Sequence, residues 1–287
     1  MASSTREASL EQITDDEFDA FRRLIYDIAG IHLHEGKRTL VTARLSKRLR
    51  ALNMPTFLDY YDHLLNHDPL GHELQQMINC ITTNKTEFFR ESHHFDFLKE
   101  TAIPEICAEV GARRSRKLRI WSAACSLGQE PYSIAMAVLD ALNGAQSWDI
   151  RILASDIDTN VLDHASQGMY PADEIARLPA AMKQKYFLKG TGQWKDQVRV
   201  KPAVQRLVTF RQINLNATPW PIHTQFDLIF CRNVIIYFDQ PTQMRLFGRL
   251  HEIIRPNGYL MLGHSENLPF SLSGYRSLGG TIYRVQP

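Results

Sequence analysis

The chain has 287 residues, of which 44% are hydrophobic and 22% charged, and its formal net charge is +2. This composition excludes collagen-like, disordered and coiled-coil proteins, and the small net charge gives no field that would draw the whole chain to nucleic acid or membrane. The four cysteines lie far apart without a Cys-x-x-Cys pair, which excludes a zinc knuckle, a dithiol redox motif and a disulfide framework.

The N-terminal segment predicts a cytoplasmic protein. Residues 1–12 are mostly small and polar, and they lack the apolar core of a signal peptide. No segment of the chain reaches the roughly 18 to 20 consecutive apolar residues that a membrane helix needs. We therefore expect a cytoplasmic location and a flexible tail over residues 1–12.

Residues 13–80 carry apolar side chains at helical spacing and predict an all-helical N-terminal domain. The first helix begins after a cap at Thr14 and ends at Gly30. Three more helices are expected at residues 37–52, between Thr56 and His67, and at residues 70–81. In the second helix, one apolar face is expected to hold Leu40, Val41, Leu45, Leu49 and Leu52.

From residue 117 onward, strands alternate with helices, which indicates a doubly wound, mostly parallel sheet. The last strand, residues 281–285, has no helix before it and is expected to return antiparallel beside residues 258–263. That ending suits the methyltransferase variant of the doubly wound sheet. Residues 186–205 read as strand, turn and strand, so the α/β domain of residues 96–287 should contain a small antiparallel β insertion.

Small and acidic residues follow the first two strands. The loop after the first strand has one glycine, Gly128, so the G-x-G-x-x-G motif of dinucleotide sites is absent. A ligand without phosphates fits this loop better, although small residues also suit a tight, packed connection. Asp156 ends the second strand, where a carboxylate accepts hydrogen bonds from ribose hydroxyls. Its alternative role, capping the next helix, suits Asp158 or Thr159 equally well.

The end of the next buried strand, residues 226–231, is also polar. Arg232, Asn233 and Tyr237 follow it and should border the same site, because ligands bind outside the carboxyl ends of strands in open sheets. The Asn/Asp-Pro-Pro-aromatic motif of enzymes that methylate amino nitrogens is missing. Its absence argues against methylation of adenine, cytosine or glutamine.

The linker between the two predicted domains, residues 81–95, mixes aromatic and polar side chains. Phe88 and Phe89 are expected to pack at the domain junction. The polar side chains are harder to explain by packing and are candidates for ligand contacts: Asn84, Thr86 and Arg90.

The second predicted helix is strongly basic. Residues 37–50 carry six Lys and Arg and no acid, although residues 1–100 as a whole contain 12 basic and 16 acidic residues. A run of charge is usually a solvated helix face. A run of one sign also suggests an anionic partner, either an acidic helix or nucleic acid, and the lack of interleaved aromatics weakens the single-strand nucleic-acid interpretation.

Six motifs run in the same order as in a known family and cover nearly the whole chain after residue 13. They are Arg44-Leu-x-x-Arg48-Leu-Arg50, Thr83-Asn-x-Thr-x-Phe-Phe-Arg90, Trp121-Ser-Ala-Ala-Cys-Ser-x-Gly-x-Glu-Pro-Tyr-Ser133, Ala154-Ser-Asp-Ile-Asp158, Phe230-Cys-Arg-Asn-Val-x-Ile-Tyr-Phe238 and Gly263-His-Ser-Glu-Asn267. On these motifs the chain resembles the chemotaxis receptor glutamate methyltransferases, the CheR family.

The resemblance implies an S-adenosylmethionine-dependent enzyme that forms glutamyl methyl esters on the cytoplasmic helices of chemoreceptors, with S-adenosylhomocysteine as product and no metal. Tyr237 corresponds to the tyrosine that the family places near the transferring methyl, and Tyr237 and Arg90 are the candidates for orienting the attacking carboxylate. The implied receptor-binding cations are Arg44, Lys47, Arg48 and Arg50. The implied cofactor-binding residues are Asn84, Thr86, Arg90, Glu130, Asp156, Asn214, Leu215, Arg232 and Asn233.

Some family members bind a pentapeptide at the receptor C-terminus through the β insertion. Lys189-Gly-Thr-Gly192 matches that loop in length and start, whereas Asp196 stands where tethered members have glycine, so the tether stays open. We expect a monomer that inserts into no membrane and binds no nucleic acid. The alternatives are a non-catalytic adaptor that binds S-adenosylmethionine or its product, and a nucleic-acid methyltransferase using the basic helix.

Overall fold

The computed structural model describes residues 12–109, 116–143, 147–269 and 272–286. The chain forms two compact units, one ending at Thr83 and the other beginning at Asn84. The predicted tail lies outside the described residues, apart from Gln12. None of the described helices is long and apolar enough to cross a membrane.

The described part of the first unit contains four α-helices, as predicted. Thr14 caps the first helix in a reciprocal pair of hydrogen bonds with Glu17, and Gly30 ends it in the left-handed conformation with φ 71°. A 3-10 turn, Glu35–Lys37, precedes the second helix. The helices are α1 (Asp15–Ala29), α2 (Arg38–Leu52), α3 (Phe57–Asn66) and α4 (His72–Ile81).

One prediction about the core of this unit is wrong. Leu40 does not share the buried face of α2, because its side chain is 38% exposed while Val41, Leu45 and Leu49 are fully buried. The buried row repeats every four residues, and Leu40 lies one residue, about 100°, away from it. Leu40 therefore belongs to the outer face of α2.

The second unit contains a seven-stranded sheet, and the predicted fold class is confirmed. Its strands are β1 (Lys117–Ala123), β2 (Asp149–Asp156), β6 (Val208–Gln212), β7 (Phe226–Cys231), β8 (Ile254–Leu262), β9 (Tyr275–Gly279) and β10 (Ile282–Val285). Their order is β6-β2-β1-β7-β8-β10-β9. The first five in this order are parallel, and β10 runs antiparallel to β8, as predicted.

Several elements were not predicted, among them two short helices at Ala180–Tyr186 and Pro202–Gln205. A helical stretch covers residues 93–108, where α5 (His93–Phe97) continues through a π-helical turn into α6 (Ile103–Ala108). The edge strand β9 pairs with β10. The remaining helices are α7 (Gln129–Ala141), α8 (Thr159–Gln167), α9 (Ala180–Tyr186), α10 (Pro202–Gln205) and α11 (Gln240–Ile253).

The β insertion is larger than the predicted residues 186–205. The expected pair, β4 (Phe187–Lys189) and β5 (Gln197–Val200), is present, and β3 (Met169–Pro171) adds a third antiparallel strand in the order β3-β5-β4. Phe88 packs edge-on against Tyr170 of β3 and Phe187 of β4, at centroid distances of 5.0 and 5.3 Å. This aromatic cluster joins the insertion to the beginning of the second unit.

Candidate active site

The carboxyl ends of β2, β1 and β7 are adjacent in the sheet, so the loops that follow them meet at one edge. The loop after β1 is sharply bent, with positive φ at Ala124, Ser126 and Gly128. A Cβ atom at Gly128 would lie 2.7 Å from the Ala165 Cβ and 2.8 Å from the Tyr170 hydroxyl. The loop can follow this path only with glycine at that position.

Asp156 ends β2 and faces this loop. Its side chain accepts hydrogen bonds from the backbone N–H groups of Ser126 (2.8 Å) and Asp158 (3.0 Å). The residue is only 6% exposed, and burial raises the pKa of its carboxyl to about 6, although these hydrogen bonds oppose the rise. Asp158, not Asp156, caps the following helix by accepting from the N–H groups of Asn160 and Val161.

Asn84, at the start of the second unit, connects to the same two loops. Its Nδ2 donates to Asp158 Oδ2 (2.8 Å), and its carbonyl accepts from the Ser126 hydroxyl (3.1 Å). Thr86 and Arg90 follow in the same segment and are half-buried. The structure thus brings Asn84 next to Asp156 through Ser126 and through Asp158, which sequence analysis considered only as a helix cap.

Arg232, after β7, is buried between two carboxylates. Its Nη1 lies 3.0 Å from Glu130 Oε2, and its Nη2 lies 3.1 Å from Glu91 Oε2 and also donates to the Arg90 carbonyl. The hydroxyl of Ser122 donates to Glu130 Oε1 (2.7 Å). Burial raises the pKa of Glu130 despite these contacts. The Arg232 Nε is also buried, and it has no hydrogen-bond partner in the described part of the chain.

Glu91 is a member of the site that sequence analysis missed. Besides Arg232, its carboxylate accepts from Asn233 Nδ2 (3.2 Å) and from the backbone N–H of His264 (3.1 Å), and it lies 3.0 Å from the His264 ring Nδ1. Burial would raise its pKa, but the charge of Arg232 and these hydrogen bonds outweigh it and lower the pKa to about 2. Only its position directly after Arg90 could have drawn attention to it.

Asn233 adopts the left-handed conformation, with φ 57°, directly after Arg232. A 3-10 turn, Ile235–Tyr237, follows it. Tyr237 is half-buried at the end of this turn, and its neighbour Ile236 is 56% exposed. The turn therefore presents a phenol and an apolar side chain next to the strand end.

The segment after β6 runs beside Asp156, because the N–H of Ile213 donates to the Asp156 carbonyl (3.1 Å). Arg249 Nη1 donates to the carbonyl of Leu215 (3.1 Å), and Trp220 Nε1 donates to that of Asn214 (3.2 Å). The predicted pair, Asn214 and Leu215, is thus held next to the end of β2.

The structure divides the basic residues of α2 into two classes. Arg48 forms a bidentate pair with the buried Glu73, at 2.8 and 2.6 Å, and Tyr60 donates to the same carboxylate (2.8 Å). Arg44 donates to the backbone carbonyls of Ile81 and Thr82, at the end of α4, and to the Thr83 hydroxyl. Lys47 and Arg50 point outward and are exposed.

The site suits S-adenosylmethionine, which carries a sulfonium, an ammonium group and a ribose diol. Asp156 supplies a buried carboxylate and Glu130 a half-buried one, the Arg232 Nε is a donor left unused by the described residues, and the bent loop lets a ligand approach the backbone closely. Within the described ranges, no group of three or more His, Cys, Asp or Glu residues is arranged to hold a metal ion.

Comparison with known proteins agrees with this geometry. The family model "CheR methyltransferase, all-alpha domain" matches residues 16–82, and "CheR methyltransferase, SAM binding domain" matches residues 84–283. The chain is 46% identical over 270 residues to chemotaxis protein methyltransferase 2 of Pseudomonas aeruginosa, covering 94% of this chain and 93% of the relative. It is 42% identical over 274 residues to the chemotaxis protein methyltransferase of Escherichia coli, covering 95% and 92%. The chain therefore belongs to the CheR family of S-adenosylmethionine-dependent methyltransferases.

Proposed function

We propose that the protein methylates glutamate side chains on the cytoplasmic helices of chemoreceptors, forming glutamyl methyl esters and S-adenosylhomocysteine. The observation that carries this proposal is a pair of hydrogen-bond networks: one joins Asn84 to Asp156 through Ser126 and Asp158, and the other joins Glu130 to Asn233 through Arg232 and Glu91. Both networks lie at the carboxyl edge of a methyltransferase sheet in a chain whose relatives are named chemotaxis protein methyltransferases.

In this proposal, the cofactor is held by the loops around that network, with the Asp156 carboxylate accepting from the ribose hydroxyls. The cofactor supplies an electrophilic methyl group on its sulfonium. Glu130 and Asp156 provide negative charge that favours a cation. The other residues of the cofactor site are Asn84, Thr86, Arg90, Asn214, Leu215, Arg232 and Asn233.

The chemistry needs positioning more than proton transfer. A glutamate carboxylate is already ionised at neutral pH, so it attacks without a general base. Rate then depends on holding the carboxylate in line with the breaking S–C bond and on excluding water. The Tyr237 hydroxyl orients the substrate carboxylate, with Arg90 nearby. An uncharged hydroxyl suits this role, because a strong charge-neutralising contact would stabilise the ground state rather than the transition state.

The receptor helix binds the outer face of α2 in this proposal. Leu40, Ala43, Lys47 and Arg50 are spaced three and four residues apart, so they share one exposed helix face. The mixture of apolar and positive side chains complements an acidic, amphipathic helix. Arg44 and Arg48 contribute less directly, since both guanidinium groups are engaged within the unit.

The β insertion is the candidate site for a receptor C-terminal peptide. It contains an open cavity of about 430 Å³ lined by Leu188, Lys189, Gly190, Thr191, Trp194, Gln197, Val198, Arg199 and Met169. Two cations beside an exposed tryptophan suit an acidic peptide with a free carboxylate and an apolar side chain. The enzyme acts in this scheme as a cytoplasmic monomer.

The test uses S-adenosylmethionine with a tritiated methyl group and receptor cytoplasmic fragments. We expect label on the receptor that mild base releases as methanol, because an ester is base-labile and an N-methyl group is not. Base-stable label, or label on nucleic acid, would support a nucleic-acid or amino methyltransferase. Tight cofactor binding without transfer to receptor would support the adaptor.

A further inference from the structure

Glu266, after β8, is a carboxylate that binds backbone rather than side chains. It is only 3% exposed. Its Oε2 accepts from the N–H groups of Gly263 (2.7 Å) and Asn233 (2.8 Å), and its Oε1 accepts from the N–H of Ile236 (3.2 Å). One side chain therefore holds the loop after β8 to the loop and turn after β7.

The loops after β7 and β8 are closely packed where they meet. A Cβ atom at Gly263 would lie 2.5 Å from Asn233 Nδ2 and 2.8 Å from Glu266 Oε2. From the opposite side, Gln243 of α11 donates through Nε2 to the carbonyls of Ile235 (3.1 Å) and Phe238 (2.9 Å). The 3-10 turn is thus fixed by Glu266 through its N–H side and by Gln243 through its carbonyl side.

We propose that Glu266 is a positioning residue for methyl transfer, fixing the turn that carries the Tyr237 hydroxyl. This inference rests on the role proposed above for Tyr237. Without a general base, the rate depends on geometry, and a displacement of about 1 Å can lower it on the order of 100-fold. An amide at position 266 would offer one acceptor oxygen, and its NH₂ would face an N–H donor, so the turn would shift.

The deciding experiment is a double-mutant cycle between Glu266→Gln and Tyr237→Phe, read as the single-turnover rate at saturating S-adenosylmethionine and receptor fragment. We expect Glu266→Gln to lower the rate about tenfold or more, with a smaller rise in the S-adenosylhomocysteine Kd and in the receptor KM. In the Tyr237→Phe background, the same substitution should lower the rate less than about threefold. Glu100→Gln is the matched control, because it removes one carboxylate charge at an exposed position and should leave the rate unchanged.

Three results would contradict the inference, and they differ in which proposed role they remove. A Tyr237→Phe variant with the wild-type rate removes the role proposed for Tyr237, and the role of Glu266 with it. A slow Tyr237→Phe variant combined with a wild-type rate for Glu266→Gln, or with equal losses in both backgrounds, removes only the role of Glu266. If Glu266→Gln does not fold, Gln243→Met, which releases the other side of the turn, replaces it in the same cycle with the same expectations.

Discussion

Replacing Arg48 should strongly destabilise the helical unit. Glu73 is 8% exposed and is held by two hydrogen bonds from Arg48 and one from Tyr60. In Arg48→Met, the buried carboxylate would keep only the tyrosine, and removing one partner of such a pair lowers the free energy of unfolding by about 3 to 5 kcal/mol. That is comparable with the total stability of a unit of this size, at about 0.05 to 0.15 kcal/mol per residue.

The two units can be followed separately during urea unfolding. All four tryptophans, Trp121, Trp148, Trp194 and Trp220, lie in the second unit, so their fluorescence reports that unit, whereas far-ultraviolet circular dichroism also reports α1 to α4. We expect Arg48→Met to lose helical signal at low urea without an equal change in tryptophan fluorescence.

Two further variants sharpen this test. Lys47→Met, at the exposed neighbouring position, should change the unfolding free energy by less than about 0.5 kcal/mol. Adding Glu73→Leu to Arg48→Met should restore much of the lost stability, because no buried charge then lacks its partner. An Arg48→Met variant as stable as Lys47→Met would refute the reasoning.

The remaining predictions concern binding and pH. The double variant Lys47→Glu with Arg50→Glu should lower receptor methylation strongly and leave the S-adenosylhomocysteine Kd unchanged, and added salt should slow methylation by the wild type. Normal methylation by the double variant would show that Lys47 and Arg50 form only a solvated helix face. Asp156→Ala should weaken S-adenosylhomocysteine binding in calorimetry by roughly 1.5 to 3 kcal/mol, and wild-type affinity should fall as pH drops below about 6, where Asp156 becomes protonated; an unchanged Kd removes Asp156 from the site. Glu91→Gln should lower the unfolding free energy of the second unit most above pH 4.5, the ordinary pKa of the carboxyl, and the difference from wild type should shrink as pH falls toward 2; a difference independent of pH would contradict the pKa assigned to Glu91.

The sequence predicted most of what depends on local pattern. Caps at Thr14 and Gly30 located the first helix, and alternation of strands and helices led to the correct sheet class. The strand β3 was missed because three residues carry no periodicity, and β9 because its five residues are mostly polar and exposed. Local pattern also placed Leu40 on the wrong face, since adjacent residues in a helix, here Leu40 and Val41, point about 100° apart.

The candidate site was predictable only in part. Strand ends and family motifs pointed to Asp156, Glu130 and Arg232, which the structure places at one edge of the sheet. Glu91 and Glu266 were not named as site residues, although Glu266 lies in the last of the six motifs, because their contacts depend on left-handed backbone at residues 91 and 233 and on two loops that meet across more than thirty residues of sequence. A single sequence contains no pattern that predicts contact between two such distant loops.

Tyr170 connects the β insertion to the loop after β1. Its hydroxyl donates to the Leu127 carbonyl (2.7 Å) and lies against Gly128, while its neighbour Met169 lines the cavity of the insertion. Deleting the whole insertion would remove the hydrogen bond from Tyr170 and leave the loop after β1 without a packing partner on that side. A deletion that begins after residue 171 would retain this hydrogen bond, so β3 is better regarded as part of the methyltransferase domain than as part of a removable insertion.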